Sequence, residues 1–182
     1  QSIYKNIFFS ETKLNYSENL LPKKNDEIAI SFFSEKDIKK KITWNKLYES
    51  VCKFSSYLKK INLKEKDRVA AYVPNSIETI ISFLAVSKNG LIWSSCSPDF
   101  GVQGIVDRFL QIKPKILITC EHYFYNGKKI DILEKIPQIL KKIKSIKKVI
   151  VFSYDNEFEK KLDPNYTNFN SVLEKSKVNK VF

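Results

Sequence analysis

Apolar residues along this chain fall into short continuous runs, and longer stretches with helical spacing separate the runs. Short apolar runs are typical of buried strands, whereas apolar positions three and four residues apart predict amphipathic helices. We therefore predict strands at 28–33, 68–73, 91–96, 116–119 and 149–152, with a hairpin link at 34–41 that leads into Ile42. Strands that alternate with helices are typical of βαβ units, so the pattern predicts an α/β fold with a layered, mostly parallel sheet and flanking helices.

The helices are predicted from the same spacing and from their capping residues. The clearest helix is predicted at 44–61, with Thr43 as its N-cap. A second helix, at about 76–88, is preceded by Asn75, and Glu78 stands three residues later in the spacing of a capping box. Further helices are predicted at 14–21, at 102–112, within 130–143 and from 169 onward, and polar loops at 120–129 and 154–168.

The chain length of 182 residues suits one domain. We predict an N-terminal extension segment at 1–26 and a partial α/β domain at 27–182. The first residue is Gln1 and the chain stops at Phe182 directly after an apolar residue, so we expect both ends to be cut and the α/β domain to be truncated on its C-terminal side.

The stretch 90–107, which reads GLIWSSCSPDFGVQGIVD, is the first candidate for a functional site. It passes from a helix end through a strand and a Ser/Pro/Asp turn into the next helix. Open α/β sheets bind their ligands in the loops that follow the carboxyl ends of strands. The stretch therefore predicts a loop that faces a ligand.

The formal net charge of +12 suggests a nucleic-acid partner at first sight. Only Arg68 and Arg108 are arginines among the 32 basic residues, however, and surfaces that read bases or clamp phosphates favour the planar guanidinium. A lysine-rich composition bias therefore explains the charge better. A non-catalytic basic binding module stays as the alternative from another functional class.

The cysteine and carboxylate patterns favour structural roles. Three widely spaced cysteines and the single His122 do not favour a zinc site, and they suit reduced, buried thiols in a cytoplasmic protein. Cys96 as a nucleophile with His122 as its base is the less favoured hypothesis. Asp99 is predicted to cap the 102–112 helix, and Asp107 to lie on its outer side, in preference to a catalytic pair.

Two common nucleotide-binding motifs are missing, since neither GxGxxG nor GxxxxGK[ST] occurs in the chain. The Gly101-x-x-Gly104 pair at a helix start carries little weight by itself. The most apolar helical run, at 77–86, is far shorter than the roughly 20 residues of a membrane span. We therefore expect neither a nicotinamide-dependent enzyme nor a membrane partner.

The predicted loop 120–129 combines three aromatic residues, one glycine and two lysines. Aromatic rings can stack on an adenine base, and Lys128 and Lys129 can contact phosphate as point charges. The same composition also suits an ordinary solvated turn. On the residues alone, a nucleotide-binding loop and a solvated turn remain equally good interpretations.

Several segments together resemble the adenylate-forming acyl-CoA synthetases, and within them the branch that activates acetoacetate. WSSCSPDFG is the most specific, because the acetyl- and propionyl-CoA synthetases have a Gly- and Phe-rich loop at this point. The resemblance is carried, in order along the chain, by LNYSENLL (14–21), ITWNKLYESVCKFSSYLKKI (42–61), DRVAAYVPNSIETIISFLA (67–85), GLIWSSCSPDFG (90–101), DRFLQIKPKILIT (107–119) and YNGKKID (125–131).

The resemblance implies an ATP-dependent acid–thiol ligase that acts with Mg²⁺. A carboxylate attacks ATP to give an acyl-adenylate and pyrophosphate, and coenzyme A (CoA) then displaces AMP. The chain corresponds to the early part of the large N-terminal domain of that family. The phosphate loop, the nucleotide-binding motifs and the catalytic lysine of the family all come later, so the resemblance assigns no catalytic or metal-binding residue here, and we expect the fragment alone to be inactive. Another short-chain synthetase, for acetate or propionate, is the alternative enzyme.

The resemblance also assigns a CoA contact to the turn Tyr125-Asn126-Gly127-Lys128. Acetyl-CoA synthetases hold the nucleotide end of CoA with an Arg-Gly-Gly-Arg-like turn at this place. Only the glycine and the cationic character of Lys128 are kept here. Tyr125 replaces an arginine, so the phosphate contact is weaker or comes from Lys129. The loop from Ser97 to Phe100 corresponds to a wall of the CoA entrance.

Overall fold

The computed structural model describes residues 10–155, 158 and 161–178. The strands of this part of the chain are β1 (Ile28–Phe33), β2 (Lys39–Thr43), β3 (Arg68–Tyr72), β4 (Ile92–Cys96), β5 (Ile116–Cys120), β6 (His122–Tyr125), β7 (Lys128–Asp131), β8 (Lys148–Phe152) and β9 (Tyr166–Asn168). Five of them form one sheet in the order β4-β3-β5-β8-β9, in which all neighbours are parallel. The predicted α/β fold with a parallel sheet is confirmed.

The helices flank this sheet. They are α1 (Tyr16–Leu20), α2 (Trp44–Lys60), α3 (Ile77–Lys88), α4 (Val102–Ile112), α5 (Ile136–Lys142) and α6 (Phe169–Lys175), with a 3₁₀ turn at Leu133–Lys135. The chain runs from β3 outward to β4, and then back past β3 to β5. Because both crossovers are right-handed by the general rule, α3 and α4 lie on opposite faces. In agreement, α2 packs on α3 and α6, whereas α4 packs on α5.

The core lies along the middle strands. Every residue of β5 is buried, as expected for a strand that is covered on both faces. On one face α2 contributes a stripe of apolar residues that includes Val51, Phe54 and Leu58, all fully buried. This stripe confirms the predicted amphipathic helix, and Thr43 caps it as predicted, since its Oγ1 accepts a hydrogen bond from the Lys46 N–H at 3.3 Å.

Two predicted helix caps are wrong by position. The N-cap of α3 is Ser76, whose Oγ accepts from the Thr79 N–H at 3.1 Å. Glu78 makes no capping box and instead pairs with Lys40 at 3.3 Å. The N-cap of α4 is Gly101 without any side-chain bond, so Asp99 does not cap this helix. Both errors have one physical reason: a cap requires a particular backbone direction, which composition alone does not set.

Two short structures were missed. The predicted loop 120–129 is largely the antiparallel hairpin β6–β7, in which Tyr125 pairs with Lys128 across the turn residues Asn126 and Gly127. Both turn residues have positive φ, 50° and 69°, as a type I′ turn requires. The strand β9 lies within the predicted loop 154–168 and pairs with β8. Three residues are too few to show a periodic pattern in the sequence.

The segment before β1 packs on the domain where it is described. Asn15 Nδ2 donates to the Lys88 carbonyl at 3.2 Å, and the rings of Tyr16 and Phe83 meet edge to face. Residues 1–9 and 179–182, including both predicted truncation points, lie outside the described part, and the division at 1–26 remains a prediction. No helix in the described ranges is both long enough and apolar enough for a membrane span.

Candidate functional site

The carboxyl edge of the sheet between β3 and β5 is the place where this fold favours a ligand. The chain leaves β3 toward one side of the sheet and leaves β5 toward the other, so the connections diverge at this point. Divergence of this kind opens a crevice outside the strand ends, and ligands of open α/β sheets bind there. Three segments meet at this edge: the end of β3, the loop 97–100 after β4, and the β6–β7 hairpin after β5.

The end of β3 supports the loop 97–100 from below. Tyr72 is fully buried, and its hydroxyl lies 2.9 Å from the carbonyl oxygen of Pro98 and 2.8 Å from that of Phe100. Burial, with a smaller contribution from the charge of neighbouring groups, raises the pKa of Tyr72 to about 12. The phenol therefore keeps its proton at neutral pH and acts as a hydrogen-bond donor to the loop backbone.

The carboxylate of Asp99 is the centre of a second set of bonds. Ser97 Oγ donates to Asp99 Oδ2, and the Tyr123 hydroxyl donates to Asp99 Oδ1, both at 2.7 Å. The Ser97 bond first, then the Tyr123 bond, lowers the pKa of Asp99. Burial and the bond to Asp99 raise the pKa of Tyr123. The loop after β4 is thus joined to strand β6, a contact that the sequence did not predict.

The aromatic end of the loop packs on α4. The guanidinium carbon of Arg108 lies 4.3 Å from the centre of the Phe100 ring, and the ring also covers Gly104. Asp107 accepts a bond from Gln103 at 2.6 Å on the exposed side of the helix, as its predicted outer position required. Asp99 and Asp107 have separate partners, so the structure does not support a catalytic carboxylate pair.

The turn of the β6–β7 hairpin carries the predicted CoA residues, and it is exposed. Tyr125 keeps 57% of its surface accessible, and Asn126, Gly127 and Lys128 are exposed as well. The Gly127 N–H donates to Glu35 Oε2 at 3.0 Å. An exposed lysine and a backbone N–H suit a phosphate oxygen, whereas the Glu35 carboxylate disfavours one. The residues therefore fit the predicted phosphate contact in part, and the contact itself stays a prediction.

Cys96 and His122 do not form a nucleophile–base pair in the described structure. Burial raises the pKa of the Cys96 thiol, which keeps it protonated. The buried His122 ring points its Nε2 at Asp155 Oδ2, 3.2 Å away, and its Nδ1 at Glu121 Oε2, 3.6 Å away. None of the three cysteines, all within the described residues, forms a disulfide, and all three are buried, as predicted.

The edge also holds a cavity of about 220 Å³, between the ends of β3 and β4. Its lining residues are polar and apolar in about equal measure, namely Val73, Pro74, Asn75, Thr79, Ser95, Cys96 and Ser97. The loop 97–100 therefore borders an open space on one side and the hairpin on the other. This arrangement provides a fixed wall beside a crevice.

Comparison with known proteins identifies the protein family to which the chain belongs. The family model described as "AMP-binding enzyme" matches residues 18–179. The chain belongs to the AMP-binding enzyme family. Among relatives, acetoacetyl-CoA synthetase of Xenopus tropicalis is 44% identical over 81% of this chain and 22% of its own length. Acetoacetyl-coenzyme A synthetase of Rhizobium meliloti (strain 1021) is 41% identical over 82% and 23%. Malonamoyl-CoA synthetase of Penicillium aethiopicum is 36% identical over 79% and 21%.

Solved structures of acyl-CoA synthetases superpose on this chain, in agreement with the family match. Acetoacetyl-CoA synthetase from Streptomyces lividans superposes with a TM-score of 0.84 at 26% identity, over 90% of this chain and 25% of that one. An acyl-CoA synthetase of Brucella canis gives 0.72 at 16% identity, over 90% of this chain and 28% of that one, and so shares the fold. The chain thus spans about a fifth to a quarter of the length of the proteins that it matches.

Proposed function

We propose that this chain forms the first part of the large domain of an AMP-forming acetoacetate–CoA ligase. The observation that carries the proposal is the 44% identity to the acetoacetyl-CoA synthetase of Xenopus tropicalis over 149 residues. The structural likeness to the Streptomyces lividans acetoacetyl-CoA synthetase supports it independently. The basic binding module is not favoured, because the family model covers nearly the whole chain.

The proposed reaction has two steps. A carboxylate oxygen of acetoacetate attacks the α-phosphorus of ATP, and pyrophosphate leaves. The sulfur of CoA then attacks the acyl carbon, the thiol proton is lost, and AMP leaves. A bound Mg²⁺ would neutralise charge on the phosphates. No residue of this chain is assigned to either chemical step, and we expect the chain alone to be inactive.

Within this reaction, the proposed role of this chain is to contact CoA. Tyr125 and the turn Asn126-Gly127-Lys128 are exposed at the edge where this sheet type binds ligands. The loop from Ser97 to Phe100 would form the neighbouring wall. The partners proposed are small molecules, namely acetoacetate, ATP and CoA. Three buried cysteines without a disulfide suit a reducing compartment such as the cytoplasm.

The acid is the least constrained part of the proposal. A relative that is 36% identical over 79% of this chain is named malonamoyl-CoA synthetase, a name that refers to a different acid. The test is release of pyrophosphate by a full-length protein that contains this chain, with ATP and one acid at a time. We expect acetoacetate to be preferred over acetate, propionate and malonamate. Preference for one of the other acids would overturn the substrate while keeping the reaction class.

The CoA contact has a test of its own. Lys128→Ala in the full-length protein should raise the KM for CoA about fivefold to tenfold, since one charge-assisted contact to phosphate is lost, and should leave adenylate formation nearly unchanged. Lys141→Ala on α5, also an exposed lysine, is the matched control and should change neither. An equal loss in both half-reactions would contradict the assignment.

A further inference from the structure

The loop 97–100 is fixed by partners from outside itself. Beneath it, the buried Tyr72 hydroxyl bonds the carbonyls of Pro98 and Phe100. Lys135, from the 3₁₀ turn, approaches the same hydroxyl oxygen with its Nζ at 3.4 Å, so this phenol is directed toward the loop as a donor. The backbone of the loop is therefore held by the core of the sheet, while its side chain Asp99 remains free to bond sideways.

The sideways bond goes to the hairpin. Tyr123 is 95% buried, yet its hydroxyl reaches Asp99 Oδ1 at 2.7 Å. Within the hairpin it lies one residue pair above the base pair His122–Asp131 and two pairs below the tip pair Tyr125–Lys128. A bond at this height joins the loop to the hairpin above its base.

Strand geometry places the tip on the same side. Side chains two residues apart on a strand share a face, so Tyr125 projects from the face of β6 that carries Tyr123. That face meets the loop 97–100. Tyr125 therefore projects on the side of the hairpin that faces the loop 97–100, and the Asp99–Tyr123 bond joins the two segments on that side.

We infer that Asp99 and Tyr123 are positioning residues for the CoA-dependent half of the proposed reaction, in that their bond fixes the hairpin tip against the loop 97–100. The inference rests on the proposed function and adds two residues to it. Neither residue needs to touch CoA. Their bond keeps the walls of the entrance pre-organised, so that CoA binds without first ordering the hairpin.

The first test measures the two half-reactions of the full-length protein separately. Tyr123→Phe removes only the hydroxyl and keeps the ring. It should raise the KM for CoA roughly fivefold to tenfold, as expected when one hydrogen bond to a carboxylate is lost, and leave kcat and pyrophosphate release within about twofold. Asp99→Ala should raise the KM for CoA at least as much, because it also removes the bond from Ser97. Asp99→Asn should restore part of the loss, because its amide oxygen can still accept the Tyr123 bond.

Coupling between the two residues is tested by a double-mutant cycle. Tyr123→Phe combined with Asp99→Ala should raise the KM for CoA no further than Asp99→Ala alone, because Asp99→Ala already removes the Tyr123 bond together with the bond from Ser97. Tyr57→Phe on α2 and Asp107→Asn on α4 are matched controls that leave the bond intact. Additive losses, an unchanged KM, or an equal fall in adenylate formation would overturn the inference.

Hydrogen–deuterium exchange separates this inference from the proposed function. In Tyr123→Phe, amides at 97–100 and at 122–131 should exchange faster, and in both controls they should not. Should the full-length protein make no thioester from any acid tested, the proposed function fails, while faster exchange would still support the bond as the link between loop and hairpin. Unchanged exchange at both segments overturns the inference whatever the activity.

Discussion

The loop 97–100 and the hairpin tip 125–128 lie at the same edge of the sheet and are built in opposite ways. The polar groups of the loop are already bonded: the buried Tyr72 hydroxyl bonds its carbonyls, and Ser97 and Tyr123 bond the Asp99 carboxylate. The tip exposes its side chains, and a single bond from its Gly127 N–H to Glu35 ties it to another segment among the described residues. A segment whose polar groups are already bonded suits a wall, whereas a segment with free donors suits ligand contact.

The difference follows from where each segment leaves the sheet. The loop runs back over the buried end of β3, so a core phenol lies directly beneath its carbonyls. The tip is an exposed two-residue turn, and within the described part of the chain its hydrogen bond to another segment goes to the turn after β1. Four predictions test this contrast, beginning with the largest expected effect.

Removal of the phenol hydroxyl beneath the loop should have the largest effect. Tyr72→Phe should lower the free energy of unfolding by about 2 kcal/mol, because a buried carbonyl of the loop loses its donor. Tyr125→Phe at the exposed tip should change it by less than about 0.5 kcal/mol. Urea titration of both variants measures the difference. Equal losses of stability in the two variants would mean that the Tyr72 hydroxyl does not hold the loop.

Two glycine substitutions compare the backbones of the segments. Gly127 has φ +69° and Gly101, just after the loop, has φ −68°, and a Cβ would find nothing within 4 Å at either. Gly127→Ala should therefore cost about 1 kcal/mol through backbone conformation alone. Gly101→Ala should cost less, about 0.5 kcal/mol, because alanine adopts this φ without strain and only the preference for glycine at the N-cap of α4 is lost. Thermal unfolding of the pair checks this, and an equal or larger cost at Gly101 would contradict it.

Acid should loosen the loop through Asp99. Its pKa is lowered in the folded state, so its bonds stabilise the fold above the ordinary aspartate pKa near 4 and are lost as pH falls through the lower folded value. The stability difference between the parent chain and Asp99→Asn should be present at neutral pH and shrink below about pH 4. Urea midpoints measured across this range give the result. A difference that is constant with pH would exclude the carboxylate as its source.

The smallest effect is expected from Glu35. Glu35→Gln removes a negative charge from an exposed site but can keep the bond to the Gly127 N–H, so the free energy of unfolding should change by less than about 0.5 kcal/mol. If the tip binds a CoA phosphate, the same variant should lower the KM for CoA about twofold in the full-length protein, since a like charge is removed. An increase in KM would count against phosphate at this turn.

The parts of the site that the sequence could predict were local. The ligand-facing position of the loop 97–100 followed from one strand, one turn and one helix in succession. The hairpin was missed although its signal was present, because Asn126-Gly127 between two short runs is the typical type I′ turn. Recognition of that turn would have placed Tyr123 and Tyr125 on one face of a strand. It would not have identified Asp99 as the partner of Tyr123.

The α/β alternation, the amphipathic helix α2, the buried cysteines and the family-specific sequence segments could all be predicted from the sequence. These depend on periodicity and composition within about twenty residues. The contacts of Tyr123 with Asp99 and of Tyr72 with Pro98, across 24 and 26 residues, arise from the packing of the whole domain. The physical reason is the parallel crossover: strands β3, β4 and β5 become neighbours only after whole helices have packed, so their end residues find partners that no local pattern encodes.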